Sequence, residues 1–332
     1  MKRISQREIA NLLGVNVSTV SRALRGLEGV STELRQKILH LAKEQGYRPN
    51  PFAVSLRYDT TRTIGIIVPD VSFNHFAHIV KRIEAEARKE GYMCIITDTD
   101  DKYENEKDCL ELLVNMHVEG IIMCLSQETT DYAHIQRLRK IHMPVVLFDR
   151  DADIDISSVV INDADSARKI TNYLVDRGAQ RIAFLGGPNK LKQTSERKHG
   201  YLEALHERNI PVRKNLVKCN YFSYNSGLTD TLELLDLPEP PDAIIATHGL
   251  LVTSAMKAVE SRGLRIPEDV SIIGYMSDWV SDVTSPRVSF VKQNQKEIGL
   301  KAFKLLFDQM NGDTCVQHVI VKARFEVRDS TR

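Results

Sequence analysis

From Thr63 onward, short apolar runs alternate with amphipathic stretches at helical spacing, and few folds satisfy that pattern. The apolar runs fall at 64–68, 93–97, 120–124 and 145–148, then at 159–161, 182–185, 216–219, 243–246 and 271–274. Helical segments separate them at 76–90, 104–116, 132–141, 164–177, 195–208, 226–235 and 250–262. Parallel strands need a crossover of a dozen or more residues, and a helix supplies it. The alternation therefore predicts parallel, doubly wound sheets covered by helices on both faces. Two such series in tandem predict two similar lobes. The strand at 288–292 and the helix at 297–310 are expected to return to the first lobe, with the tail at 319–327 completing the crossover. This places lobe 1 at about 62–161 and 291–318, and lobe 2 at about 162–290 and 319–332.

Open α/β sheets bind ligands beyond the carboxyl ends of their strands. That rule selects Ser72 to Phe76 (including Asn74, His75 and Phe76), Asp98 to Asp100, Ser126, Asp149 and Arg150, Gly186 to Lys190, Phe222, Thr247 and His248, and Tyr275 to Trp279, which includes Asp278. Arg197 opens a helix facing the same cleft. Polar groups with one aromatic plate suit a sugar or a similar small polar molecule. Trp279, the only tryptophan, has two readings: a plate for a ring, or a surface side chain.

The first 62 residues read differently. They hold eleven Lys and Arg against five Asp and Glu, a net charge of +6, while the rest of the chain carries −5. A basic head on a mildly acidic body fits a polyanion-binding module joined to something else. Ser5 and Glu8 have capping-box spacing, and Ile9, Leu12 and Leu13 follow at helical spacing. Gly14 closes this helix, and Asn16 is placed to cap a second helix over 17–24. A third starts near Ser31 and Thr32 and stops at Gly46. Three short helices with a glycine turn between the first two predict a helix-turn-helix. The outer face of the second helix carries Val17, Ser18, Ser21 and Arg22. Short side chains bring a helix close to base edges, and an arginine can fork onto a guanine.

The runs Gly14-Val-Asn-Val-Ser-Thr-Val-Ser-Arg22-Ala-Leu24, Gly29-Val-Ser31 and Gly46-Tyr-Arg-Pro-Asn50 are specific. In them the chain resembles the lactose-repressor/galactose-repressor (LacI/GalR) family of transcription regulators, and the resemblance extends from Ile4 to Thr331. It implies a helix-turn-helix head over 1–48, a hinge helix or linker over 49–61, and a periplasmic-binding-protein-like effector domain over 62–332. It implies that Val17, Ser18 and Arg22 read major-groove bases, and that Ser5, Thr19, Ser21 and Asn50 hold phosphates. It implies that Ala53 and Leu56 lie on a hinge helix that enters the minor groove at the operator centre. The hinge has its own physical logic. Asn50 and Pro51 suit a helix start, but two turns are marginal in water unless something buries them. In the cleft the resemblance implies ligand contacts at Asp149, Arg197 and Phe222. Three segments depart from the common family pattern: Phe73-Asn-His-Phe76, His248-Gly249, and Met276, where an aspartate is usual.

The partners expected are pseudo-palindromic double-stranded operator DNA, a carbohydrate-like effector, and a second copy of the chain in a homodimer. No leucine heptads follow the last strand, so no tetramerising coiled coil is expected. No nucleotide-binding glycine motif, P-loop or nucleophile elbow occurs, so neither a cofactor nor catalysis is expected. A solute-binding protein is the alternative for the body alone, and the head argues against it. The five cysteines are widely spaced with no Cys-x-x-Cys, which predicts reduced, mostly buried thiols and no metal site. With no leader-like start and no apolar run long enough for a bilayer, the expected location is the cytoplasm, away from membranes.

Overall fold

The computed structural model describes residues 4–47 and 60–332. Two compact units emerge, Met1–Thr61 and Arg62–Arg332.

In the first unit, α1 (Gln6–Leu13), α2 (Val17–Leu24) and α3 (Thr32–Glu44) surround a small core of Ile9, Ala10, Val20, Ala23, Ile38 and Ala42. The capping box forms: Ser5 Oγ accepts from the Glu8 N–H at 3.2 Å, and Glu8 returns to the Ser5 N–H at 2.7 Å. Gly14 takes a left-handed φ of 62°, which a Cβ would oppose, and this aims α2 away from α1. Asn16 holds the N-cap position with extended backbone, yet its side chain makes no capping bond. Gln6 Nε2 donates to the Tyr47 hydroxyl at 2.8 Å, fastening the start of α1 to the end of the bundle.

The second unit has two six-stranded sheets. The first contains β1 (Thr63–Val68), β2 (Met93–Asp98), β3 (Gly120–Met123), β4 (Val145–Phe148), β5 (Ser157–Ile161) and β11 (His318–Val321), in the order β11-β5-β4-β3-β1-β2. The second contains β6 (Ile182–Gly186), β7 (Val217–Cys219), β8 (Ala243–Ala246), β9 (Ser271–Tyr275), β10 (Ser289–Lys292) and β12 (Arg324–Glu326), in the order β12-β10-β9-β8-β6-β7. All pairings are parallel except β10 with β12. Strands β1, β3, β4, β6, β8 and β9 are buried along their whole length, which is why they read as unbroken apolar runs. Edge strand β2 mixes exposed and half-buried residues.

Helices α4 (Asn74–Lys89), α5 (Tyr103–Asn115), α6 (Ala133–Lys140) and α12 (Gln295–Met310) cover the first sheet. Helices α7 (Asp163–Asp176), α8 (Lys192–Glu207), α9 (Tyr224–Leu235) and α10 (Gly249–Ser261), with the short α11 (Asp278–Val283), cover the second. Helices α7 and α8 pack at Gly200, where a Cβ would come within 2.0 Å of the Ala164 carbonyl oxygen. Only glycine permits that approach.

Two lobe assignments differ from the sequence expectation. The strand at 288–292 belongs to the second lobe, because β10 pairs with β9 rather than with any strand of the first sheet. Conversely, residues 319–321 belong to the first lobe, since β11 pairs with β5. The chain thus changes lobe three times: after β5, after β10, and between β11 and β12. The helix at 297–310 does return to the first lobe, where α12 packs on α4 and on β3, β4 and β5. The reason is local: β10 has its neighbour beside it at β9, and the change of lobe comes only once that pairing is complete. The thiols are also less buried than expected. Only Cys124 is buried, Cys315 is exposed, and the other three are half-buried.

Candidate functional site: a basic head and an interlobe cavity

In the head, helix periodicity turns Val20 and Ala23 inward and leaves Val17, Ser18 and Arg22 on the exposed face of α2. Thr19 is half-buried and Ser5 is exposed at the start of α1. Ser21, expected on the same outer face, is only 7% exposed. It lies three residues before Leu24, which packs on the head core, and so stands at the edge of the packed face of α2. Asn50, Ala53 and Leu56 lie outside the described residues.

In the body, the strand ends face one another across the lobes and enclose a cavity of about 200 Å³. The first turn of α4 brings Asn74, His75 and Phe76; the end of β4 brings Asp149 and Arg150. The second lobe brings Gln193 and Arg197 from α8, Thr247 and His248 from the end of β8, and Tyr275, Met276 and Trp279 from the end of β9. Gln293 enters from the end of β10.

Four polar groups organise this space. Asp149, at a left-handed φ of 62° just beyond β4, meets His75 Nε2 at 2.7 Å. Aspartate tolerates that conformation better than most residues, and here it turns the carboxylate away from the strand axis. Burial raises its pKa, but His75, Arg150 and Arg197 outweigh that and hold the carboxyl well below the usual range. Arg197 Nε donates to Asp163 Oδ1 at 2.6 Å and Nη1 to the Thr247 carbonyl at 2.6 Å, and the guanidinium lies 3.8 Å from the Tyr275 ring centre. Burial pushes Asp163 up to about 6 against the opposing pull of Arg197. The buried Tyr275 hydroxyl is anchored to Ser166 at 2.7 Å. Burial, reinforced by Arg150, His75 and Arg197, takes His248 down to about 3, so its ring is neutral at physiological pH. His248 Nδ1 accepts from the Leu250 N–H at 3.3 Å, and that bond assigns the ring proton to Nε2.

A column of rings crosses the cleft. Phe73 of the first lobe stacks on His248 of the second at 4.5 Å, and His248 stacks on Phe222 at 4.8 Å. Arg150 of the first lobe lies over Phe222 at 5.4 Å. Gly187 makes room for this: a Cβ there would come 2.2 Å from Phe222 Cζ. Three further bonds tie the lobes together: Gln127 Oε1 accepts from the Phe222 N–H at 2.7 Å, Gln193 Nε2 donates to the Asp149 carbonyl at 3.2 Å, and Asn74 Nδ2 donates to Ser277 Oγ at 3.3 Å.

The cavity thus gathers Asn74, His75, Phe76, Asp149, Arg197, His248 and Trp279. Trp279 stands at the rim, 63% exposed. Phe222 borders a smaller neighbouring pocket on the far side of the ring column. Asp278 is not brought to the cavity. It starts α11 and pairs with Lys292, whose side chain draws it along the lobe surface. Sequence reasoning missed Asp163, Gln193 and Gln293. Asp163 and Gln293 both follow strand ends, so the strand-end rule applied to β5 and β10 reaches them. Gln193 carries no such signal; it lines the cavity because α8 starts three residues earlier than its periodicity indicates.

With this geometry in place, comparison with known proteins is informative. A family model described as bacterial regulatory proteins, lacI family, matches residues 6–50, and one described as a periplasmic binding protein-like domain matches residues 171–331. The HTH-type transcriptional repressor CytR of Escherichia coli K12 is 30% identical over 333 residues, 99% of this chain and 96% of that protein. The chain belongs to the lacI family of bacterial regulatory proteins. It is a DNA-binding transcription regulator with a helix-turn-helix head and a two-lobed α/β body. Among solved structures, a complex of the transcriptional regulator CelR with cellobiose aligns at a TM-score of 0.75 and 28% identity, covering 99% of this chain and 100% of that one. The lac repressor dimer bound to operator and an anti-inducer aligns at 0.86 over 99% of both chains with 23% identity, a likeness of fold. No described helix is long and apolar enough to cross a membrane.

Proposed function

We propose that this regulator is a cytoplasmic repressor that binds a pseudo-palindromic operator as a homodimer and is controlled by a small polar effector, a sugar or sugar derivative, held in the interlobe cavity. The observation that carries the reading is the cavity itself, where buried polar groups from both lobes converge: His75 and Asp149 from one, Arg197 and His248 from the other. A ligand touching both lobes stabilises one relative arrangement of them. If operator binding favours one arrangement too, the two sites share a coupling free energy that acts equally in both directions. The name of CytR supports the repressor assignment, and the cellobiose bound to CelR supports a carbohydrate-like effector. In the head, Val17, Ser18 and Arg22 would read bases, with Ser5 and Thr19 on phosphates. Asn50, Ala53 and Leu56 would serve at the hinge. No step of this mechanism makes or breaks a covalent bond.

The test is operator binding by the full-length protein, followed by fluorescence anisotropy on DNA from its own upstream region. Titrations run with and without a panel of sugars, sugar acids, sugar phosphates and nucleobases. Salt-sensitive binding that one compound releases or tightens is expected. The reading fails if no fragment binds and Arg22→Ala behaves like the parent.

A further inference from the structure

The interlobe cavity changes character from floor to mouth. At the floor lies the Asp149 carboxylate, kept ionised against its burial by His75, Arg150 and Arg197. Asn74 from the first lobe and Ser277 from the second line the same space and meet at 3.3 Å. An ionised acceptor beside an amide and a hydroxyl suits a molecule that presents several hydroxyls. The mouth is apolar. Trp279 is 63% exposed there, and Val280 and Phe73 are half-buried. Gly249 lines this end without a side chain: a Cβ on it would stand 3.1 Å from Phe73 Cζ and 3.9 Å from Met276 Cβ. Met276 continues the apolar side inward, and a hydroxyl buried against its thioether would meet only a weak acceptor. Asp278, the polar neighbour of Trp279, is held by Lys292 outside the cavity. The opposite end is walled off. Phe73, His248 and Phe222 stack at 4.5 and 4.8 Å between this cavity and the smaller pocket of Asp70, Asp100 and Asp101. A group attached to a ring seated at Asp149 therefore extends toward Trp279 and not toward those carboxylates.

From this gradient we infer that the effector is a glycoside with an aromatic aglycone: its sugar ring donates hydroxyls to Asp149 at the floor, and its aglycone lies against Trp279 and Val280 at the mouth. The inference rests on the effector reading of this cavity and narrows it. A free sugar leaves the indole and Val280 in water, whereas an aromatic substituent removes apolar surface of both partners from water and offers the indole a ring to pack on. A second sugar in the same place would bring hydroxyls to a surface that supplies them no partner.

The probes are matched sets on one sugar: the methyl and phenyl β-glycosides of glucose, galactose and xylose, each beside a disaccharide that carries a polar ring instead, namely cellobiose, lactose and xylobiose. Each is titrated into the full-length protein by calorimetry and by the fluorescence of Trp279, the only tryptophan. The expected result is that the phenyl glycoside of one sugar binds at least about tenfold tighter than its methyl glycoside and its disaccharide; removing about 60 Å² of the phenyl ring from water suffices for that. Trp279→Ser, read by calorimetry, is expected to cut the phenyl-to-methyl ratio to about twofold or less. The exposed indole carries little of the fold, and the ratio cancels any general loss of affinity. Equal or tighter binding of the methyl glycoside or the disaccharide overturns the inference, as does a phenyl preference that survives in Trp279→Ser. If such a polar glycoside also shifts operator affinity, the aglycone alone falls and the effector reading stands. A panel in which no glycoside shifts operator affinity overturns both.

Discussion

Replacing Arg197 by methionine isolates the ion pair on which the cavity is built. Arg197 is 2% and Asp163 7% exposed, so neither side chain has water to fall back on. The substitution removes the 2.6 Å bond to Asp163, the 2.6 Å bond to the Thr247 carbonyl and the guanidinium over Tyr275. The largest loss is the carboxylate left behind, since breaking one side of a buried pair costs about 3–5 kcal/mol. Asp163→Asn alone is milder, because the amide oxygen still accepts from Arg197 Nε; about 1–3 kcal/mol is expected. The double variant has no stranded charge, so it should be more stable than Arg197→Met alone, with a coupling of about 2 kcal/mol or more. Differential scanning calorimetry on the full chain separates the transition of the large unit from that of the small head and supplies all four corners of the cycle. A coupling below about 0.5 kcal/mol would refute the reasoning, because it would mean that Asp163 finds other solvation once Arg197 is gone.

Acid should act through His248. Its pKa is depressed to about 3, so unfolding takes up a proton between the unfolded value near 6.5 and about 3. The stability of its neutral form is therefore intact above pH 6.5 and drains away as pH falls through that window, at up to about 1.4 kcal/mol per pH unit. His248→Gln should flatten the acid limb of a urea-midpoint-against-pH curve; an unchanged limb rules His248 out as its source. Gly187→Ala puts a methyl 2.2 Å from Phe222 Cζ, which should cost about 1–3 kcal/mol by urea denaturation and blunt the operator response to effector. In the head, Arg22→Ala should weaken operator binding by about 1–3 kcal/mol and relax preference at one base pair, measured against an operator library. Ser5→Ala removes the hydroxyl that caps the Glu8 N–H and leaves the Glu8 bond to the backbone N–H of residue 5, and should lower head stability by about 1 kcal/mol, seen by calorimetry; an unshifted head transition would show the hydroxyl half of the box to be idle.

Much of this molecule is legible along the chain, for a physical reason. Helix starts and stops at Ser5, Gly14 and Gly46, the spacing of Ile9, Val20 and Ile38, and the unbroken apolar runs of β1, β4 and β8 are all local consequences of backbone geometry and burial. They require no knowledge of distant partners. The strand-end rule likewise brings Asp149 and His248 into one cavity, because parallel sheets deliver every carboxyl end to the same side. What the chain does not carry locally is pairing between distant residues. Nothing in the run at 288–292 says that it lies beside β9 rather than in the first sheet, since a buried strand looks the same in either. Nor does the composition around Asp278 reveal that Lys292 draws it out of the cleft. The same holds for Asp163 beneath Arg197 and for the ring column from Phe73 through His248 to Phe222. The Asp163–Arg197 pair depends on α7 packing against α8 within the second lobe, and the ring column on which residues of the two lobes meet across the cleft; both were decided only when those elements packed.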